Sequence, residues 1–155
     1  MRWLARWWPA IVWAIFIFGF STGAFSSDNT SRIILPVLHW LFPSASPESL
    51  ALIHHFIRKC GHFTEYFVLS LLILRGIRGG RDEIRFSWIV AAVVLVAIYA
   101  TVDEFHQSFV PGRGGLELDD VLLDTLGGAA AQGIAALVIF GGRLRGKQRN
   151  ENYRN

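Results

Sequence analysis

Charged residues are scarce in this sequence. Asp, Glu, Lys and Arg make up 17% of the 155 residues, whereas 52% are hydrophobic, and the mean hydropathy is +0.38. The charges lie mostly between apolar runs instead of spreading along the chain as on a soluble surface. This composition argues against a soluble protein and is typical of a membrane protein.

Cysteine is nearly absent, and so are linkers. The chain holds one cysteine, Cys60, and therefore cannot form an internal disulfide. It shows no internal repeat of domain scale and no low-complexity linker, and its length is that of one domain. We predict one transmembrane domain at residues 1–142, followed by a basic cytoplasmic tail at residues 143–155.

Four apolar stretches are long enough to cross a membrane, because a hydrocarbon core of about 30 Å needs roughly 20 apolar residues in a helix. The sequence therefore predicts an all-α membrane protein with four transmembrane helices, at residues 7–25, 52–75, 86–106 and 119–141. The segment IILPVLHWLFP lies between the first two spans and is too short to cross. We expect it to lie along the membrane interface.

The second span has a recognisable helix start. Ser46, Pro47 and Glu48 supply a serine cap, a proline at the first helical position and an acid in the first turn. We therefore expect a helix from about residue 47 to residue 75. Asp119 is placed to cap the last span.

Lys and Arg are distributed unevenly between the loops. Two precede the first span, four lie between spans two and three, and five follow the last span, whereas the other two loops hold Arg32 and Arg113. Cytoplasmic flanks carry the excess of basic residues, so both termini are predicted to be cytoplasmic and loops 26–50 and 107–118 to lie outside. The net charge of +3 has the same origin, and we expect no nucleic-acid partner.

Polar residues recur on one face of the second predicted helix. Residues advance by about 100° each in a helix, so Lys59, His62, Glu65 and Tyr66 share a face. A charge at bilayer depth costs several kcal/mol unless it faces protein or water. We expect this face to point into the helix bundle.

Two more sets of polar residues lie at the outer ends of spans three and four. Span three carries Tyr99, Asp103, His106 and Gln107 on one face. Span four begins with Asp120 and Asp124, one helical turn apart, and Arg113 lies in the loop before it. On the predicted topology all these groups lie on the outer side, which predicts one outward-facing polar pocket.

The blocks RKCGHFTEYFVL and DEFHQSFVPGRGGLELDDVLLDTLGG together resemble the VanZ-like family of small bacterial membrane proteins. The residues that carry the likeness are Lys59, His62, Phe63, Glu65, Tyr66, Asp103, Glu104, Gln107, Phe109, Pro111, Arg113, Asp120, Asp124 and Gly127. Asp124 departs from the pattern, since the family often has asparagine there. The resemblance implies a multi-pass protein of the bacterial cytoplasmic membrane and a link to glycopeptide (teicoplanin) resistance at the cell envelope.

The candidate site residues fall into two groups by their chemistry. His62 is a candidate base, oriented by Glu65 one turn away, and Asp103 is a candidate acid. Lys59 and Arg113 suit a phosphate-bearing headgroup. The candidate catalytic residues are His62, Glu65 and Asp103, and the candidate substrate-binding residues are Lys59, Tyr66, Gln107, Arg113, Asp120 and Asp124. The alternative is that these groups pair with one another and join the helices.

Acidic residues outnumber basic ones in the predicted pocket, which leaves a divalent cation open as a cofactor. Suitable ligand types are present in His62, Glu65, Asp103, Asp120 and Asp124, but no spacing is diagnostic of a metal. The cofactor and the oligomeric state therefore stay open.

Three functions are compatible with an outward-facing polar pocket. The first is an enzyme acting on a headgroup-bearing amphiphile, a membrane lipid or a lipid-linked envelope precursor. The second is a non-enzymatic binder of such a lipid that shields the membrane from an antibiotic. The third is an ion-coupled transporter. The inner halves VLSLLIL and WIVAAVVLV are apolar and offer no continuous polar path, which disfavours the transporter.

Overall fold

The fold is entirely helical in the part of the chain that the structure describes. The computed structural model describes residues 2–110 and 117–152, with side chains for residues 3–110 and 117–142. No strand occurs within these ranges. The helices are α1 (Arg2–Phe20), α2 (Ser27–Leu41), α3 (Pro47–Arg78), α4 (Phe86–Gln107) and α5 (Leu118–Asn152), with a 3-10 turn at Gly23–Phe25 between α1 and α2.

Four of these helices are long and apolar enough to cross a membrane. The qualifying segments are Trp3–Phe20, Pro47–Arg78, Phe86–Gln107 and Leu118–Gly142. Large apolar side chains also cover the outside of the bundle, as Ile15, Leu52 and Leu137 are 65%, 70% and 74% exposed. Such a surface suits hydrocarbon as its solvent. The predicted all-α class with four membrane-length helices is confirmed.

Several helix ends differ from the expected ones. α1 ends at Phe20 instead of residue 25, because the chain turns there and the Thr22 hydroxyl donates to the Gly19 carbonyl at 2.7 Å. α3 continues to Arg78 and ends at Gly79, whose φ of 59° is the left-handed conformation that stops a helix. The backbone of α5 stays helical to Asn152, into the segment expected to be a frayed tail.

The start of α3 lies at the expected place. Pro47 is its first residue, and the Ser46 hydroxyl accepts a hydrogen bond from the Ser49 backbone N–H at 3.3 Å. This contact satisfies one of the free N–H groups of the first turn. α3 therefore has a fixed N-terminus, which precedes the polar residues of its N-terminal half.

The segment expected along the interface is part of a longer helix, α2, which packs on α3. The Ser26 hydroxyl caps α2 by accepting from the Asn29 backbone N–H at 3.4 Å. Leu38 is buried, and the Thr30 hydroxyl and the His54 Nε2 lie 3.2 Å apart across the α2–α3 contact. α2 thus packs on the N-terminal half of α3.

Helix α3 lies at the centre of the bundle and contacts each of the other four helices. Its cross-helix contacts run in register with α5, from Lys59 with Asp120 to Ser70 with Gly128, so α3 and α5 point the same way. α1 runs antiparallel to α3. The Trp13 indole donates to the Glu65 carbonyl at 2.9 Å, and the Arg75 side chain, further along α3, donates to a carbonyl oxygen nearer the start of α1. The starts of α3 and α5 therefore lie at one end of the bundle with the ends of α1 and α4.

Two glycines allow α5 to approach its neighbours closely. A Cβ atom on Gly127 would lie 2.5 Å from the Phe63 carbonyl oxygen of α3, and one on Gly128 would lie 2.8 Å from a methyl carbon of Val96 of α4. Neither distance is compatible with a real side chain. Small residues of this kind allow membrane helices to pack at short distance.

We expect Gly127→Ala to destabilise the protein, because the added methyl group meets backbone that cannot move aside without shifting α3 from α5. Overpacking of this kind costs about 1–3 kcal/mol. Gly133→Ala on the same helix is the matched control, since a Cβ there meets no atom of the described chain within 4 Å. Thermal unfolding in detergent should show a lower melting temperature for Gly127→Ala only. Equal melting temperatures for the two variants would contradict the close α3–α5 contact.

Candidate functional site

A cavity of about 260 Å³ lies between α1, the 3-10 turn, α2, α3 and α4. The lining residues from α3 and α4, here called the polar wall, are mainly polar: Arg58, His62, Glu65, Asp103 and Gln107, with Ile57 and Gly61. The lining residues from α1, α2 and the turn between them, here called the apolar wall, are mainly apolar: Ile17, Phe20, Phe25 and Ile34, with Ser21 and Thr30. The cavity thus offers both polar and apolar contacts to one small group.

Helix geometry explains why these polar residues face the cavity. Arg58, Gly61, His62 and Glu65 follow one another at intervals that keep them on the same face of α3. Asp103 and Gln107 are one turn apart on α4. Gly61 leaves space between the larger side chains, since a Cβ on it would meet no described atom within 4 Å.

Asp103 is buried and fixed in position by its neighbours. The Tyr66 hydroxyl donates to its Oδ2 at 3.1 Å, and the Gln107 Nε2 donates to the same oxygen at 2.9 Å. The other oxygen, Oδ1, is buried and accepts no hydrogen bond from any described residue. One oxygen of this carboxylate therefore holds α3 and α4 together, while the other retains its capacity to accept from a ligand.

A second polar contact lies between α3 and α5. The Lys59 ammonium group forms an ion pair with the Asp120 carboxylate, and the His62 Nδ1 lies 3.6 Å from the Asp124 Oδ1. Lys59, Asp120 and Asp124 do not belong to the cavity lining. For Lys59 the structure thus shows the alternative named above: its ammonium group pairs with a carboxylate and joins two helices, and it does not face the cavity.

The expected site residues are thus divided over two neighbouring locations. His62, Glu65, Asp103 and Gln107 line the cavity, whereas the others for which the structure shows contacts connect helices. The carboxylate beside the His62 Nδ1 belongs to Asp124, where Glu65 had been expected to orient this imidazole. An aspartate on the facing helix points towards His62, whereas residues of one helix face project side by side. Arg113 lies outside the described residues.

Comparison with known proteins gives the family. Residues 7–140 match the VanZ/LLP1 family model. The chain belongs to the VanZ/LLP1 family. No curated protein and no solved structure matches the chain. The resemblance expected from the polar blocks is therefore confirmed, and the matched range contains both the cavity and the α3–α5 contact of this VanZ/LLP1 protein.

Glu104 was counted among the residues of the family resemblance but not among the candidate site residues. In the VanZ/LLP1 protein its side chain is buried, and its Oε1 accepts a hydrogen bond from the Glu117 backbone N–H at 3.0 Å. Glu117 immediately precedes α5, so Glu104 fixes the start of α5 against the end of α4. Asp119 is not the cap of this helix, because α5 begins at Leu118 and Asp119 lies exposed in its first turn. The prediction failed because α5 starts earlier than the apolar pattern indicates.

A deeper polar contact was also missed. The Gln132 Nε2 donates to the carbonyl and hydroxyl oxygens of Ser70 at 3.0 and 2.8 Å, and the Ser70 hydroxyl donates to the Gly128 carbonyl at 2.9 Å. All three residues are buried. A glutamine inside an otherwise apolar span was the signal for this contact, since an amide in hydrocarbon requires a partner.

The face expected on span three is split by the structure. Asp103 and Gln107 face the cavity, but the Tyr99 hydroxyl donates to the Ala14 carbonyl at 2.6 Å, and the His106 Nδ1 lies 3.3 Å from the Ser21 hydroxyl. Tyr99 and His106 therefore attach α4 to α1. For the divalent cation that was left open, no group of three or more His, Cys, Asp and Glu side chains within residues 2–110 and 117–152 is arranged to hold a metal ion.

We expect the Lys59–Asp120 pair to show a favourable coupling energy for stability. Lys59→Met and Asp120→Asn each leave one charge without its partner in a low-dielectric environment, so each should lower the melting temperature, and the double variant should be less affected than their sum. The Lys59 and Asp120 side chains are 25% and 16% exposed, so the pair is partly screened by solvent. We therefore expect a coupling energy of about 1–3 kcal/mol, which is smaller than that of a fully buried pair.

A double-mutant cycle measured by unfolding in detergent gives this coupling energy. Lys59→Met combined with Asp82→Asn is the control, because Asp82 lies in the loop after the far end of α3. The control pair should be additive. Additive effects for Lys59 and Asp120 as well would show that their contact does not stabilise the bundle.

Proposed function

We propose that this VanZ/LLP1 family protein binds an amphiphile of the cell envelope, a membrane lipid or a lipid-linked precursor, with the headgroup in the cavity. The observation that carries the proposal is the division of one cavity into a polar and an apolar wall. Pockets that enclose drug-sized ligands measure about 300–1,000 Å³. The volume of about 260 Å³ therefore suits a headgroup, while the acyl chains extend into the surrounding lipid.

The predicted topology connects this binding to the outer leaflet. The cavity lies at the end of the bundle where α1 and α4 end, away from the arginine-rich loop between α3 and α4. On the positive-inside rule that loop is cytoplasmic, so the cavity faces outwards. An outer-leaflet binder would contact lipid-linked wall precursors and lipidated antibiotics. Such contact would account for the teicoplanin resistance that the family resemblance implies.

Filling the cavity should abolish amphiphile binding without unfolding the protein. Gly61→Phe places an aromatic ring at a cavity-lining position where a Cβ meets no described atom within 4 Å. Native mass spectrometry of the protein purified from bacterial membranes in a neutral detergent measures the retained lipid. We expect stoichiometric retention by the parent protein and at least a tenfold lower lipid occupancy in Gly61→Phe.

The matched control is Gly133→Phe. Gly133 is also an exposed helical glycine with open space around its Cβ, but it lies on α5 and does not line the cavity. It should retain lipid like the parent, and both variants should melt near the parent temperature. Unchanged retention in Gly61→Phe would overturn the proposed binding site.

A second candidate function is catalysis on the bound headgroup. The observation that favours it is the position of His62, which lines the cavity and has the Asp124 carboxylate 3.6 Å from its Nδ1. A carboxylate on one ring nitrogen sets the tautomer and leaves the other nitrogen to act as a general base. Asp103, with its buried Oδ1, is a candidate acid on the same wall.

Lipid turnover separates the enzyme from the binder. Radiolabelled envelope lipids incubated with the reconstituted protein and resolved by chromatography should give a new product only if the protein is an enzyme. His62→Gln should then reduce the rate about 100-fold or more, the usual contribution of a general base, while lipid retention persists. Absence of product with a folded, lipid-retaining parent protein leaves the binder. A product formed equally by His62→Gln would exclude His62 as the base.

A further inference from the structure

Arg58 is a cavity residue that begins the block RKCGHFTEYFVL but was not among the candidate site residues. It lines the cavity, and its Nη1 is buried without a hydrogen-bond acceptor among the described residues. No described carboxylate lies within ion-pair distance of its guanidinium group. Guanidinium stays charged at any physiological pH and carries five N–H donors. Its position therefore calls for an acceptor from outside the described chain.

Arg58 also takes the role that the sequence suggested for Lys59. The Lys59 ammonium group is neutralised by Asp120 between α3 and α5, away from the cavity. Among the described residues, the lysine or arginine charge presented to the cavity is thus that of Arg58, with its fork of donors. Such a fork matches the oxygens of a phosphate group, which it binds through two parallel hydrogen bonds.

The same cavity contains the opposite kind of incomplete group. The Asp103 Oδ1 is buried and accepts no hydrogen bond within the described ranges, whereas the Tyr66 and Gln107 donors both go to Oδ2. A buried carboxylate oxygen in this state is a strong acceptor for an ammonium or hydroxyl group. The cavity therefore lacks an acceptor at Arg58 and a donor at Asp103.

The charges around the cavity set a further condition. Glu65 and Asp103 lie on the polar wall with Arg58, so the described lining carries two carboxylates beside one guanidinium group. A simple anion would be attracted by Arg58 and repelled by the buried Asp103 carboxylate. A headgroup that carries its own positive charge avoids this conflict, because it brings each charge of the ligand next to its opposite.

We propose that the cavity takes a zwitterionic headgroup, whose phosphate diester is bound by Arg58 and whose ammonium group is bound by Asp103. This inference rests on the proposed amphiphile binding and names the class of its ligand. An aminoalkyl phosphodiester lipid such as phosphatidylethanolamine has this chemistry. The alternative is that Arg58 and Asp103 pair with each other in the membrane, which would leave no preference for such a headgroup.

Three lipids with identical acyl chains test the two contacts separately. Phosphatidylethanolamine has both charges, phosphatidylmethanol has the phosphate alone, and diacylglycerol has neither. Affinities are measured by native mass spectrometry titration in a neutral detergent. We expect the parent protein to bind them in that order, with about tenfold or more between successive lipids, since a hydrogen bond to a charged group is worth that much.

Each variant should remove one step of this series. Arg58→Gln should bind phosphatidylmethanol no better than diacylglycerol. Asp103→Asn keeps the size of the side chain and an acceptor for Tyr66. This variant should bind phosphatidylethanolamine no better than phosphatidylmethanol, and it should still bind both more tightly than diacylglycerol. Arg32→Gln is the charge-matched control, because Arg32 is exposed on α2 and does not line the cavity. It should behave like the parent.

The outcomes distinguish this inference from the proposal on which it rests. Equal affinity of the parent for all three lipids would overturn the zwitterion and leave amphiphile binding in place. No binding of any of them would remove both. If water-soluble phosphoethanolamine binds as tightly as the lipid, the cavity recognises a free headgroup and the amphiphile proposal fails. An Arg32→Gln loss equal to that of Arg58→Gln would reduce the effect to surface charge.

Discussion

A charged side chain inside a hydrocarbon layer requires a partner, and α3 carries several such side chains in one stretch. The cost of an uncompensated charge at this depth is several kcal/mol, comparable with the whole stability of a small domain. Lys59 is compensated by Asp120, and His62 has Asp124 beside its ring. These contacts fix which face of α3 meets α5. The orientation of α3 then determines what its remaining polar residues can face.

The α3–α5 contact continues inwards from these charges by different means. One turn further, Gly127 lies so close to the Phe63 carbonyl of α3 that a methyl group would not fit, and beyond it Gln132 donates hydrogen bonds to Ser70. The sequence of contacts thus changes from ionic to small-residue packing to amide hydrogen bonds along one direction. Each of these three kinds of contact can hold helices together in lipid, where no hydrophobic driving force acts between them. Contacts of these kinds follow the interface from Lys59 to Ser70 of α3.

Much of the fold was predictable because it follows from local rules. The four apolar lengths, the serine cap before Pro47 and the polar face of α3 are properties of single segments, and the structure bears out the helical class and that helix start. The partner of each polar residue was not predictable. A 100° advance tells which residues share a face, but the rotation of that face relative to α4 and α5 depends on glycine contacts such as Gly127 with Phe63, which sequence periodicity does not encode.

The two sides of α3 differ in the partners that their charged residues meet. Lys59 and Arg58 are adjacent in sequence and alike in charge, yet one meets a carboxylate on α5 and the other borders a cavity. On the α5 side the Lys59 ammonium group has the Asp120 carboxylate as its partner, as expected of a contact that holds helices together. On the cavity side two buried atoms of opposite character, the Arg58 Nη1 and the Asp103 Oδ1, lack partners in the described chain. A buried donor and a buried acceptor that both lack partners in the described chain, on residues that line one cavity, are the reason to regard the cavity as the site where this family protein meets its ligand.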